Sequence, residues 1–153
     1  ILKNRFHDPN VIPTLAYKFP NGAVKLYFRG QEFKWWSNCT DEIFNSCYLP
    51  EFNDSHIVVT SSKLDALILY KVFGVQTIAK QQEYGSLNLD ISNFKSRYVL
   101  YDNDRTGMVE GGKLASSLNA VQLFLPKGND TADLIIKDFI TLKTFTNDIL
   151  CKI

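Results

Sequence analysis

The sequence predicts an α/β domain, an open and mostly parallel sheet flanked by helices, preceded by a small β-rich basic subdomain. Three observations predict it. From His56 onward, short apolar runs alternate with helix-period segments in the order strand, helix, strand, strand, helix, strand. Between Leu15 and Trp36 the pattern is instead that of short strands broken by a turn signal. Finally, the run Tyr98-Val-Leu-Tyr-Asp-Asn-Asp-Arg-Thr-Gly107 ends an apolar stretch on two aspartates followed by glycine.

Each element follows from a local rule. Residues 15–19 and 23–28 read as a hairpin closed by Pro20-Asn-Gly22. Residues 31–36 add a third strand, and 40–54 read as a connection broken at Pro50 and Asn53-Asp54. Residues 56–60 are a buried strand, after which Ser61-Ser62 offers a helix cap. Leu64, Leu67, Ile68, Tyr70 and Val72 then carry a helix to its stop at Gly74. Strands follow at 75–79 and 97–101. A helix over 106–118 is weakened by Gly111-Gly112, a pair that lets it lie close to the sheet. Residues 120–125 form a strand stopped by Pro126, and 131–149 a final amphipathic helix or a broken pair. The division expected is a β-rich unit over 1–54 and an α/β unit over 55–153. Neither an internal repeat nor a low-complexity tract is present.

Composition narrows the function classes. A chain of 153 residues has the length of one ordinary domain and can bury roughly 68–70% of its unfolded surface without staples. Its 45% apolar and 22% charged residues are globular values, and no apolar run approaches the roughly 18 residues of a membrane span, so no membrane partner is expected. The chain begins at Ile1 without the apolar core of a secretory signal, and it reads as a piece of something larger or a processed product. Cys39, Cys47 and Cys151 lack the spacing of a zinc site and are odd in number, which favours a reducing, cytoplasmic setting over a disulfide framework. His7 and His56 stand apart without a partner at ligand spacing. No P-loop, Ser-His-Asp order or dinucleotide fingerprint is found.

The net charge of +1 hides an uneven distribution. Lys18, Lys25, Arg29 and Lys34 interleave with Tyr17, Phe19, Tyr27, Phe28, Phe33, Trp35 and Trp36, a mixture suited to a polyanion with stackable bases. The same pattern also describes a small sheet with an aromatic core and a wet basic face. In the second half, Asp102 and Asp104 sit two apart, and in an extended strand such residues point the same way. They would project from the carboxyl end of a strand, where open α/β sheets place ligands. Hard cations such as Mg2+ are held there by one or two carboxylates plus phosphate oxygens. Asp-Asn-Asp before glycine is equally good turn and helix-capping chemistry, and both readings stay open.

Three blocks end three strands: Val58-Val-Thr-Ser-Ser-Lys-Leu-Asp-Ala-Leu67, Val99-Leu-Tyr-Asp-Asn-Asp-Arg-Thr-Gly107 and Leu125-Pro-Lys-Gly-Asn-Asp-Thr-Ala-Asp133. In order and spacing they resemble the toprim domain, a Rossmann-like unit of bacterial and phage-type DNA primases of the helicase-primase kind, shared more loosely with type IA and II topoisomerases. The resemblance covers about half the chain, from His56 to Asp133. Lys34-Trp-Trp-Ser-Asn38 is similar to a segment of the small basic subdomain that precedes toprim in primases.

The resemblance implies Asp102, Asp104 and Asp130 as metal ligands, assisted by Asp133, with Mg2+ or Mn2+ in a two-metal site. It implies Asp65 as a further catalytic acid. Toprim domains open with Glu-Gly-x-x-Asp, whereas this chain reads Ser61-Ser-Lys-Leu-Asp65, so the glutamate position is Ser61. A serine is a poor base unless activated. Glu83, after the second strand, is the candidate to supply the missing carboxylate. Lys25, Arg29, Lys34, Trp35 and Asn38, with Lys113 and Lys127, are candidates for holding nucleic acid or nucleotide.

The function implied is that of a primase RNA-polymerase core fragment, a nucleotidyltransferase that joins ribonucleoside triphosphates on a single-stranded DNA template. The same resemblance implies a replicative helicase as partner, in a bacterial cell or a phage-infected host, with activity depending on flanking modules. Two rivals share the motifs: a toprim nuclease or topoisomerase-like phosphodiester hydrolase, and a non-catalytic nucleic-acid-binding module in which Ser61 marks lost chemistry.

Overall fold

The computed structural model describes residues 15–19, 21–28, 35–38, 43–80, 82–126 and 130–151, without the side chains of residues 35, 47 and 48. Arg29, Lys34 and Lys127 lie outside the described residues. Strands β1 (Leu15–Lys18), β2 (Val24–Tyr27) and β3 (Trp35–Ser37) form an antiparallel sheet in that order. Its first turn rests on Asn21-Gly22: Gly22 takes φ +86°, and the Asn21 side chain accepts from the Ala23 N–H at 2.8 Å. Asn38 accepts from the Val24 N–H at 2.8 Å and so closes the β2–β3 end.

The larger sheet has the order β4-β6-β5-β7-β8, where β4 is Ile43–Phe44, β5 His56–Thr60, β6 Thr77–Lys80, β7 Ser96–Leu100 and β8 Val121–Leu123. The last four are parallel, and β4 is antiparallel at one edge. The mostly parallel α/β expectation thus holds, with one addition. The stretch read as a plain connection contributes β4 and a 3-10 turn over Ser46–Glu51, and β4 carries the larger sheet across the expected division at residue 54. A two-residue strand has too short a period to register as alternation.

Among the described residues four α-helices accompany the sheets: α1 (Lys63–Phe73), α2 (Arg105–Leu118), α3 (Thr131–Lys137) and α4 (Phe139–Cys151). Ser62 caps α1, and Gly74 ends it at φ +72°. The C-terminal segment is a broken pair because Asp138 leaves helical geometry at φ −152° and turns its carboxylate onto the Thr141 N–H at 3.1 Å. Among the described residues no helix is long and apolar enough to cross a membrane.

Strand alternation sorts the core into two layers. Ile57, Val59, Val99 and Tyr101 pack with Leu114 and Ala115 of α2, whereas Val58, Tyr98 and Leu100 pack with Leu69, Leu134, Leu142 and Ile149 of α1, α3 and α4. Each such side chain is worth roughly 1.5–3 kcal/mol of burial, so the central strands are fixed before any site chemistry is considered. Gly111 lies where a Cβ would come 3.3 Å from Tyr101, so the glycine pair does bring α2 close to the sheet. A third cluster, with Tyr17, Phe19 and Ala23 against Phe44, Ala66 and Ala79, fastens the small sheet to the large one. Phe44 meets Tyr17 and Phe19 edge-on at 5.7 and 5.8 Å.

Candidate active-site cleft

Parallel pairing sets Thr60 beside Leu100 and Ala79, so the chain leaves β5, β6 and β7 at one edge of the sheet. A cleft of about 740 Å3 opens there, between that edge and the small sheet. Ser61 and Asp65 enter it after β5, Glu83 after β6, Asp102 after β7, and Asp130 at the start of α3. Tyr17, Lys25 and Tyr27 of the small sheet line the same space.

The acidic wall is electrostatically loaded. Asp65 is 4% exposed, and burial, with the charges of Asp102 and Asp130, pushes its carboxyl up to about 8, against one backbone N–H donated by Ala132. Asp102 is also raised, by burial and then by Glu83, Asp130 and Asp104. The connection that presents Asp102 is tight. A Cβ on Gly107 would lie 2.1 Å from the Asp102 carbonyl oxygen, so only glycine lets α2 start directly beneath this residue.

The two aspartates of Asp102-Asn-Asp104 are divided in role. Strand β7 ends at Leu100, so the strand rule that would point them together does not apply. Asp102 reaches the cleft, while Asp104 is exposed and caps α2 by accepting from the Gly107 N–H at 2.7 Å. Asp130 does both, lining the cleft and capping α3 through the Asp133 N–H at 2.5 Å. Asp133 turns outward to Lys137 at 2.8 Å, and Lys113 pairs with Glu110 at 2.6 Å on exposed helix surface. Asn38 serves the small sheet, as described above, and only the backbone of Trp35 is described.

Among the acids stands a basic group that the sequence does not advertise. Lys63, 4% exposed, donates to the Lys80 carbonyl at 2.6 Å and lies within hydrogen-bonding reach of Lys25. Burial and the Lys25 charge push Lys63 down to about 6, while Glu83 acts the other way. Its one sequence signal is a cation at the first position of a helix, where the dipole disfavours it.

The donor set is suited to a hard cation: carboxylate oxygens only, crowded enough to raise one another's proton affinity. Among the described residues no three His, Cys, Asp or Glu side chains are gathered closely enough to hold a metal ion by themselves. Mg2+ is commonly held by one or two carboxylates, with water and phosphate completing its shell.

No family model and no curated protein matches this sequence. Among solved structures, the crystal structure of the primase fragment of the bacteriophage T7 primase-helicase protein is similar, with a TM-score of 0.62 and 16% identity. The alignment covers 86% of this chain and 60% of that one, so the chain spans only part of the phage fragment. At this identity the likeness is one of fold, a primase-like α/β arrangement.

Proposed function

We propose that the chain is the RNA-polymerising core of a primase, with a toprim α/β unit and a preceding basic subdomain. It would join ribonucleoside triphosphates on single-stranded DNA, in the company of a replicative helicase. The observation that carries this reading is one cleft lined both by a carboxylate wall from the connections of the larger sheet and by a lysine wall made jointly by Lys25 of the small sheet and Lys63 of α1. A metal–triphosphate complex is the ligand whose charges match both walls. The likeness of fold to the phage primase fragment and the three strand-end blocks support the same assignment.

Asp102 and Asp130, with Asp65 and Glu83 beside them, would hold Mg2+ or Mn2+, and Asp104 is close enough to add its charge. Bound there, a pair of such ions would activate a 3′-hydroxyl and stabilise the departing pyrophosphate. Lys25 and Lys63 would take the phosphates, whose charge would offset the burial that disfavours both ammonium groups. Tyr17 and Tyr27 would present rings to a base or ribose at the cleft wall.

The protein, in its full-length parent, should extend oligoribonucleotides on labelled single-stranded DNA with Mn2+, and Asp102→Asn should reduce the product at least about a hundredfold, as loss of a principal charge-stabilising group does. Cleavage of DNA without synthesis would replace the polymerase reading by the hydrolase one. Synthesis unchanged by Asp102→Asn would leave the cleft without a catalytic role.

A further inference from the structure

The loop after β6 is fastened from three directions, and this chain's departure at Ser61 gives the fastening a purpose. Lys80, the last residue of β6, is 4% exposed and points its ammonium into the loop that follows. There it donates to the Tyr84 carbonyl at 3.1 Å and to the Gly85 carbonyl. Gly85 takes φ +81°, which turns the backbone so that both carbonyls converge on one ammonium. The Tyr101 hydroxyl donates to the Glu83 carbonyl at 3.4 Å, and Tyr101 is itself buried next to Asp102. From the other side, Lys63 holds the Lys80 carbonyl.

Burying an ammonium is costly, and a chain needing only a loop there could close it with a threonine or an asparagine at lower cost. What the loop carries is Glu83. Its carboxylate faces the cleft, and after burial it is the largest influence on Asp102. Glu83 therefore acts on Asp102 across the same cleft, from the loop that follows β6, the strand next to β5, after which Ser61 comes.

We propose that Lys80, helped by the Tyr101 hydroxyl, is a positioning residue that fixes the loop so that the Glu83 carboxylate completes the cation site left one acid short by Ser61. The proposal rests on the metal-binding reading of the cleft. Two buried side chains are committed to the backbone carbonyls of three consecutive residues, Glu83, Tyr84 and Gly85, beginning at the acid the loop presents. Replacing either should free the loop without removing any carboxylate.

The test is Mn2+ titration by calorimetry together with hydrogen exchange of the loop amides, on the unmodified protein, Lys80→Met, Tyr101→Phe, Glu83→Gln and the double variant Lys80→Met/Glu83→Gln. Lys80→Met should speed exchange at Glu83, Tyr84 and Gly85 and weaken Mn2+ binding by roughly tenfold, the range seen when groups orienting a metal ligand are removed. Glu83→Gln should weaken it at least as much, and the double variant should be no weaker than Glu83→Gln, because a lysine acting only through Glu83 has nothing left to position. Tyr101→Phe, which removes one hydroxyl from a ring that keeps its packing, should give a smaller change in the same direction. It decides the matter if Lys80→Met fails to fold.

Mn2+ binding that Lys80→Met, or in its absence Tyr101→Phe, leaves unchanged would overturn the positioning role while keeping the cation site. Additive losses in the double variant would do the same. No Mn2+ binding by the unmodified protein would overturn the metal reading itself, and the positioning role with it.

Discussion

Asp65 is pushed up to about 8 in the folded chain from the ordinary 3.8 of an aspartate, because burial and two neighbouring carboxylates oppose the charged form. The folded state therefore binds more protons than the unfolded state between those values. The stability this carboxyl contributes is complete below pH 3.8 and is lost as pH rises through 8. Lys63, lowered from 10.5 to about 6, works in the opposite sense from pH 6 upward, so the melting curve of the unmodified protein mixes the two. Asp65→Asn isolates the aspartate, since an amide mimics the protonated acid. Without divalent cations, its melting temperature minus that of the unmodified protein should grow between pH 4 and pH 8, by roughly 5 °C or more. A difference that is flat with pH would refute the assignment. The sequence placed Asp65 correctly one turn into a helix. It did not reveal Lys63 in the same turn, because a lysine reads as solvated until a second sheet covers it.

At the scale of the element, two helices begin on an aspartate cap and differ in what the cap faces. Asp104 caps α2 from an exposed position, and Asp130 caps α3 from the wall of the cleft. Serine caps nearly as well as aspartate, so Asp104→Ser and Asp130→Ser should each cost under about 1 kcal/mol of stability. Their effects on Mn2+ affinity should separate: roughly tenfold or more for Asp130→Ser, and less than about threefold for Asp104→Ser. Equal losses in a calorimetric titration would make Asp104 a ligand on the same footing as Asp130. The sequence had left exactly this choice between cap and ligand open for the Asp102-Asn-Asp104 pair. The end of β7 at Leu100 decides it, by taking both residues out of strand geometry.

For the whole molecule, the cleft exists only while the small sheet stays seated on the large one. The seat is narrow: Tyr17, Phe19 and Ala23 against Phe44, Ala66 and Ala79. Phe44→Ala removes the ring that both aromatic contacts share and should cost about 3–5 kcal/mol in urea denaturation. If the cleft takes ribonucleotides as proposed, Phe44→Ala should also weaken their binding, because Lys25 and Tyr27 reach the cleft from the docked sheet. Full nucleotide affinity in a folded Phe44→Ala protein would mean that the large sheet binds its ligand alone.

The sequence by itself determined the four parallel strands, the helices and most of their ends to within a few residues, since these follow from short-range periodicity and from caps such as Ser62 and Gly74. It also placed Asp102 just past the carboxyl end of a strand, where parallel sheets gather their ligands, whereas Asp65 and Asp130 entered the site through the resemblance. Only the tertiary structure decided that β4 joins the larger sheet, that Lys63 and Lys80 are buried, and that Glu83 faces Asp102. Those are contacts between segments distant in the chain, and no local pattern encodes which side chain another sheet or loop will cover.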